Sequence, residues 1–160
     1  MPGPFWSRIM VNDLYNKAIL TLAGNIERAG RLADPDASVF LDSPLCGSRI
    51  TVDIKMQDDK VSDYAAEVKA CALGQAASAI MAKHVIGQTG AQLRQVRDAM
   101  RAMLKSHAPP PSGEWRELEV LQPVADYKAR HGSVMLPFEA VVRAIDEITA
   151  KRAAAGSAHG

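Results

Sequence analysis

The chain of 160 residues is 48% apolar, 23% charged and 5% aromatic, a composition that predicts one globular domain with enough chain to bury a full core. Nineteen Lys and Arg against eighteen Asp and Glu leave a formal net charge of +1, which argues against a strong long-range attraction to nucleic acid. No apolar run approaches the roughly 20 residues of a membrane-spanning helix, and residues 1–6 lack the pattern of a secretory leader. We therefore expect a single cytoplasmic domain over residues 1–160.

Hydrophobic periodicity in the first half of the chain predicts one helix and a small sheet. Apolar residues at helical spacing predict a helix over 11–22, and a short strand candidate follows at 38–41. Residues 50–56 and 64–70 alternate apolar with polar or small side chains on either side of a polar turn at 57–60. This alternation predicts a β-hairpin, and hence a sheet of about three antiparallel strands.

The pattern of the second half is helical. Helices are predicted over 73–81, over 89–105, which opens on a capping-box pattern, and over 137–148 near the C-terminus. The prolines at 109–111 predict a surface loop, and the small, unpatterned residues 153–160 are expected to fray. The order of elements indicates the α+β class, with helices covering one face of an antiparallel sheet.

Cys46 and Cys71 are the two cysteines of the chain, too few for a disulfide framework, so we expect thiols unless they bind a metal. The hairpin register that keeps apolar side chains on one face pairs Ile50 with Val68 and places Cys71 opposite Gly47. The two sulfur atoms should therefore lie within about 7 to 8 Å at the open end of the hairpin. A helix starting at Cys71 favours its thiolate. Two explanations stay open, a soft-metal site and a pair of inert buried thiols.

Four segments of the sequence resemble the U-type iron–sulfur cluster assembly scaffolds, the family of IscU, SufU and the N-terminal part of NifU. The likeness extends from about Leu14 to about Ile145. The segments that carry it are Asp13-Leu14-Tyr15, Ser43-Pro44-Leu45-Cys46-Gly47, Lys69-Ala70-Cys71-Ala72-Leu73 with Ala76-Ala77-Ser78-Ala79, and Ala129-Arg130-His131-Gly132-Ser133-Val134-Met135-Leu136. The resemblance implies the same α+β fold that the hydrophobic pattern predicts.

The ligand set that the resemblance implies is only partly present. Family members place three cysteines and one aspartate around a metal or cluster, with the aspartate two residues after the first cysteine. Cys46 and Cys71 match two of these positions, whereas the aspartate position reads Ser48. Because a cluster normally rests on four protein ligands, the resemblance implies a labile cluster. The remaining ligands would come from another residue, a partner, a small thiol or a second subunit.

The residue at the third cysteine position depends on the alignment. Counting back from Leu136 puts Ser133 there, whereas a slide of one residue puts Gly132 there and aligns His131 with a histidine of the family's ligand region. A serine hydroxyl stays protonated at neutral pH, while neutral histidine is a common metal ligand. His131 is therefore the candidate third ligand, and Ser48 and Ser133 complete the predicted rim. An exposed loop histidine is the alternative explanation.

The resemblance implies a scaffold that is not an enzyme, that binds iron and sulfur or Zn(II), and that passes clusters to apoproteins. It implies a cysteine desulfurase and apo iron–sulfur proteins as partners, and we expect a monomer or weak homo-oligomer. A first alternative is a zinc protein that holds Zn(II) through Cys46, Cys71, His131 and water. A second is a sulfur relay in which one cysteine carries a persulfide. A metal-free domain with both thiols buried is the remaining alternative.

Overall fold

The computed structural model describes residues 15–45 and 47–159, and the side chains within these ranges up to residue 156. Helix α1 (Lys17–Ala23) begins after Asn16, whose Oδ1 accepts a hydrogen bond of 3.0 Å from the amide of Ile19. The part of the predicted first helix at 11–14 lies outside the described residues. None of the described helices is both long and apolar enough to cross a membrane.

Three antiparallel strands form the sheet of the described chain, in the order β1 (Ala37–Ser43), β2 (Ser48–Gln57) and β3 (Lys60–Lys69). The predicted pairing of Ile50 with Val68 is confirmed. This register places most apolar residues of the three strands on the face that packs against the helices, whereas Phe40 is 59% exposed on the opposite face. The hairpin ladder ends at the pair of Arg49 and Lys69, directly before the segments that contain the two cysteines.

The helical half of the chain covers this face. Its elements are α2 (Ala72–His84), α3 (Gly90–Ser106), two 3₁₀ segments (Gly113–Asp126 and Lys128–Arg130) and α4 (His131–His159). Helix α2 lies between α1 and α4, while α4 also packs on β1, β2 and α3. The predicted capping box is confirmed, because Thr89 Oγ1 accepts from the amide of Gln92 and the Gln92 side chain accepts from the amide of Thr89. The predicted α+β class is therefore confirmed.

The longer 3₁₀ segment follows from the spacing of its apolar residues. Trp115, Leu118, Leu121 and Val124 recur at every third position, and all four are buried. A 3₁₀ helix has three residues per turn, so this spacing places the four side chains in one row. The segment thereby brings the chain back to the start of α4.

Helix α4 begins six residues before the predicted start at Pro137 and continues to His159. Pro137 lies inside the helix and has no amide hydrogen, so the carbonyl of Ser133 receives no helical hydrogen bond from it. Near the other end, Lys151 Nζ donates to the carbonyl of Asp36 at 2.9 Å, and Arg152 donates to the carbonyl of Met56 at 2.7 Å. These contacts attach the helix to the hairpin. The predicted fraying beyond Ala153 remains a prediction.

Glycine allows α2 and the first turn of α4 to approach closely. A Cβ atom added to Gly74 would overlap Ser133 Oγ and would lie 2.8 Å from the Cβ of Ala70. A Cβ added to Gly132 would overlap Ser43 Oγ at the end of β1. Because real Cβ atoms do not come this close to other heavy atoms, a side chain at either glycine would force the elements apart.

A buried carboxylate fixes the loop before β1 to the middle of the sheet. The side chain of Asp53 is fully buried and accepts hydrogen bonds from Arg31 Nε at 2.7 Å, Leu32 N at 2.9 Å and Ser38 Oγ at 2.6 Å. Burial raises the pKa of Asp53, but the hydrogen bonds from these three groups outweigh burial, so the pKa lies below its ordinary value. The ionised form of Asp53 therefore stabilises the fold.

We expect Asp53→Asn to lower the free energy of unfolding at pH 7 by about 2–4 kcal/mol, because the amide replaces one carboxylate oxygen by an NH₂ group that faces two donors. The pKa of Asp53 is lower in the folded state than the roughly 3.9 of the unfolded chain. The stability that ionised Asp53 contributes is thus complete above the unfolded-state pKa. It is lost as the pH falls through the lower pKa of the folded state. The difference between wild type and variant in urea unfolding should narrow below about pH 4.

Asp146→Asn is the matched control, because Asp146 forms an exposed ion pair with Arg94. Its effect should stay within about 0.5 kcal/mol. An equal loss of stability in the two variants would contradict the role given to the buried carboxylate.

We expect Gly74→Ala to lower the free energy of unfolding by about 1–3 kcal/mol, because the new methyl group overlaps Ser133. Alanine normally stabilises a helix relative to glycine by up to about 1 kcal/mol. Gly156→Ala is the control, since nothing lies within 4 Å of a Cβ at Gly156 in α4. Thermal unfolding should show a loss of stability for Gly74→Ala and none for Gly156→Ala, and a stabilised Gly74→Ala protein would rule out the close approach.

Candidate functional site

Cys71 lies at the junction between β3 and α2, where its backbone has the extended conformation of a helix N-cap (φ −67°, ψ 171°). Its thiol is free and half-buried, and it makes no capping hydrogen bond to the helix. The thiol is therefore available for chemistry rather than committed to the local structure.

Two serine hydroxyls stand beside this thiol. Ser133 Oγ lies 3.5 Å from Cys71 Sγ, and Ser48 Oγ donates to Ser133 Oγ at 3.0 Å. Both serines are buried, with exposed fractions of 2% for Ser48 and 1% for Ser133. We call Ser48, Cys71 and Ser133 the serine–cysteine cluster. Its members come from the first residue of β2, the residue before α2 and the first turn of α4.

The contact between Ser133 and Cys71 helps to choose between the two alignments of the third cysteine position. Ser133 approaches the sulfur, whereas Gly132 faces Ser43 at the end of β1. The geometry thus favours the alignment that puts Ser133, not Gly132, in the place of the cysteine. A hydroxyl at this distance donates a hydrogen bond to a thiolate more readily than it binds a metal.

His131, at the start of α4, lies on a different side of the helix from Ser133. Its Nε2 lies 3.0 Å from the carbonyl oxygen of Val124 and 3.1 Å from that of Ala125. Because carbonyl oxygens only accept hydrogen bonds, Nε2 carries a proton and Nδ1 is the nitrogen left for a ligand. Residues two apart on a helix do not face each other, so His131 and Ser133 point in different directions. Metal binding by His131 remains a prediction.

Cys46 lies outside the described residues, so its expected distance to Cys71 also stays a prediction. Within residues 15–45 and 47–159, no group of three or more His, Cys, Asp or Glu side chains is arranged to hold a metal. A metal or cluster bound at the serine–cysteine cluster therefore requires a ligand from outside the described residues, of which Cys46 is the predicted one, or from another molecule.

Sequence reasoning missed two features that shape this site. Gly74, the third residue of α2, leaves the space that Ser133 occupies. Pro137 follows Ser133 by one helical turn and deprives its carbonyl of a hydrogen-bond donor. Neither feature can be recognised from neighbouring residues before the start of α4 is known. Pro137 by itself favours a helix that begins at that residue.

Comparisons with known proteins identify the family of the chain. Residues 14–134 match the family described as NifU-like N terminal domain. The chain is 28% identical over 135 residues to the iron–sulfur cluster assembly scaffold protein IscU of Streptococcus pyogenes serotype M1, covering 84% of each chain. It is 24% identical to the zinc-dependent sulfurtransferase SufU of Bacillus subtilis (strain 168), covering 84% of this chain and 91% of that protein.

A solved structure shows the same fold at higher identity. The N-terminal part of a nitrogen-fixing NifU-like protein from Brucella abortus superposes with a TM-score of 0.87 at 54% identity, covering 89% of this chain and 99% of that one. The family model alone spans most of the chain, and the resemblance to the U-type scaffolds is confirmed. The chain belongs to the NifU-like N-terminal domain family.

Proposed function

We propose that the protein is an iron–sulfur cluster assembly scaffold, in which Cys46 and Cys71 receive sulfur or bind iron before the cluster passes to an apoprotein. The observation that carries the proposal is the free, half-buried thiol of Cys71 at the start of a helix, next to the buried hydroxyl of Ser133. The proposal is supported by membership of a family whose relatives include IscU scaffold proteins.

The residues of the site favour a labile cluster. Thiolates are soft, charged ligands for iron, whereas a neutral serine hydroxyl contributes little binding energy. The chain supplies two thiols, Cys46 and Cys71, and a cluster is normally held by four protein ligands. The coordination positions for which the chain supplies no thiol are the physical reason that a cluster would leave easily. In this proposal the protein itself catalyses no reaction, a cysteine desulfurase supplies sulfur, and apo iron–sulfur proteins receive the cluster.

A sulfur relay is the second candidate, favoured by the free, half-buried thiol of Cys71 and by the similarity to a zinc-dependent sulfurtransferase. In such a relay, the thiolate of Cys71 attacks the outer sulfur of a persulfide on the desulfurase. The sulfur–sulfur bond of the donor breaks, the desulfurase cysteine leaves as a thiolate, and Cys71 becomes the persulfide. In the relay, Cys46 is the cysteine left to bind Zn(II), with His131 as the candidate nitrogen ligand.

Anaerobic reconstitution with ferrous iron, cysteine and a cysteine desulfurase separates the two candidates. The scaffold should acquire iron and sulfide in similar amounts with visible absorption, and Cys71→Ser should lose most of both. A protein that retains zinc, gains one sulfur atom by mass spectrometry and shows no visible band would instead establish the relay. Neither iron nor added sulfur on the wild-type chain would disprove both candidates.

We expect Ser133→Cys to increase the iron and sulfide retained per chain and to slow their loss to a chelator by about tenfold, the lower range of effects known for changes around metal ligands. The reason is that the new sulfur would stand where a hydroxyl now lies 3.5 Å from Cys71 Sγ. Ser62→Cys is the control, because Ser62 is exposed on β3 and adds a third thiol elsewhere. Equal loading of the two variants would mean that residue 133 does not contact the cluster.

We expect His131→Ala to weaken retention of zinc or iron about tenfold or more, if Nδ1 is a ligand. His107→Asn is the control, since His107 has a left-handed backbone (φ 53°) that asparagine tolerates better than alanine. Metal content after dialysis against a chelator measures retention, with thermal unfolding recorded in parallel. Equal metal content in both variants would show that His131 serves only to attach the 3₁₀ segment to α4.

A further inference from the structure

The two edges of the sheet differ in how the chain covers them. Along β3, the amide of Ala66 donates to the carbonyl of Arg28 at 3.1 Å, and the carbonyl of Ala66 accepts from the amide of Gly30 at 2.9 Å. Near the other end of β3, the backbone of Val61 forms hydrogen bonds of 2.8 and 2.9 Å with the loop at 87–88. The chain itself therefore protects the β3 edge from pairing with a further strand.

The edge formed by β1 is open. In the part of the chain that the structure describes, β1 packs against β2 and α4, and residues 37–42 form no backbone hydrogen bond on the side away from β2. An antiparallel strand bonds its neighbour through alternate residues, so the other residues of β1 point their amide and carbonyl groups away from β2. The strand has seven residues, contains no Lys, Arg or Pro, and pairs with β2 without a bulge. Apart from the charge of Asp42, it lacks the features that keep natural edge strands from pairing.

Two apolar side chains are left uncovered at this edge. Phe40 is the central residue of β1, and its side chain is exposed on the face away from the helices. Leu41 lies on the inner face and packs against the core, yet it remains partly exposed, whereas Val39 on the same face is buried. A strand placed beside β1 would cover the side of Leu41 and part of the Phe40 ring. Burial of aromatic and aliphatic surface would favour such pairing.

The residues of β1 are arranged to pair with a second copy of the same strand. An antiparallel pairing centred on Phe40 places this residue opposite its own copy. On the inner face, Val39 then lies opposite Leu41, and on the outer face Ser38 lies opposite Asp42. Apolar residues thus face apolar residues, and no two like charges are opposed. Such complementarity of a surface with itself is what a two-fold interface requires.

We propose that two copies of the chain associate through their β1 edges and form one continuous antiparallel sheet. The contact is confined to one strand and its flanking side chains, so its area falls in the range of weak interfaces, below about 1,200 Å². Because the paired strands run in opposite directions, the Ser43 end of one copy lies beside the Ala37 end of the other. The serine–cysteine cluster adjoins the Ser43 end, where Ser48 pairs with Ser43. The two candidate sites therefore lie at opposite ends of the joined sheet, and neither copy supplies ligands to the other.

Sedimentation velocity of the metal-free protein in reducing buffer, over a series of concentrations up to about 1 mM, measures the association. Phe40→Lys places a charge against its own copy at the centre of the pairing and removes the aromatic contact. The dissociation constant of the dimer should rise about tenfold or more. Leu20→Lys is the matched control, because Leu20 is similarly exposed, at 54% against 59%, but lies on α1. This control should dimerise as wild type does, and thermal unfolding verifies that both variants are folded.

Amide hydrogen exchange of the wild-type protein locates the contact without any variant. The amides of residues 37–42 that point away from β2 should become more protected as the protein concentration rises, whereas those of β3 should not change. A chain that is monomeric at about 1 mM, or a dimer that Phe40→Lys leaves as stable as that of wild type, would overturn the proposal. Protection of β1 that does not depend on concentration would overturn it as well, because the chain's own residues would then cover the edge. These measurements require no metal or cluster, so their outcome is independent of the proposed scaffold function.

Discussion

The structure around the candidate site depends on the close packing of the first turn of α4 against α2 and the end of β1. Two glycines make this possible, because Gly74 leaves room for Ser133 and Gly132 leaves room for Ser43. The same contact brings a residue of the helical half of the chain to within 3.5 Å of Cys71 Sγ, at the end of the hairpin. The space that the two glycines leave therefore allows Ser133 to reach the thiol, where it also accepts a hydrogen bond from Ser48.

Elements with a strong local pattern could be predicted from the sequence, and elements that depend on distant contacts could not. The hairpin register followed from alternation, because a slip of one residue would bury the polar face. The capping box at Thr89 was equally local. The start of α4 was predicted at Pro137, since proline favours the first turn of a helix. The helix begins at His131 instead, where the 3₁₀ segment, anchored by buried Trp115 and its successors, delivers the chain to the sheet.

Because the start of α4 was predicted six residues too late, only part of the site could be predicted. Residue types and spacing were enough to single out Cys71, and the resemblance to the family singled out Ser48 and Ser133. The structure brings these three residues together. The direction of His131 could not be foreseen, because in a loop its ring is free to turn toward the thiol. Once residue 131 is helical, its direction relative to Ser133 is fixed by the geometry of the helix.

The proline inside α4 has a consequence for exchange at the site. Ser133 is joined to the next turn without the usual hydrogen bond, because Pro137 offers no amide hydrogen. Separating the first turn from the rest of the helix therefore costs less than the same opening in an uninterrupted helix, by about the 0.5–1.5 kcal/mol of one backbone hydrogen bond. The remainder of α4, attached to the hairpin through Lys151 and Arg152, can stay in place. Opening the wall beside Cys71 thus costs one backbone hydrogen bond less than usual, and the packing of the buried side chains of Val134, Met135 and Leu136 is what keeps it closed.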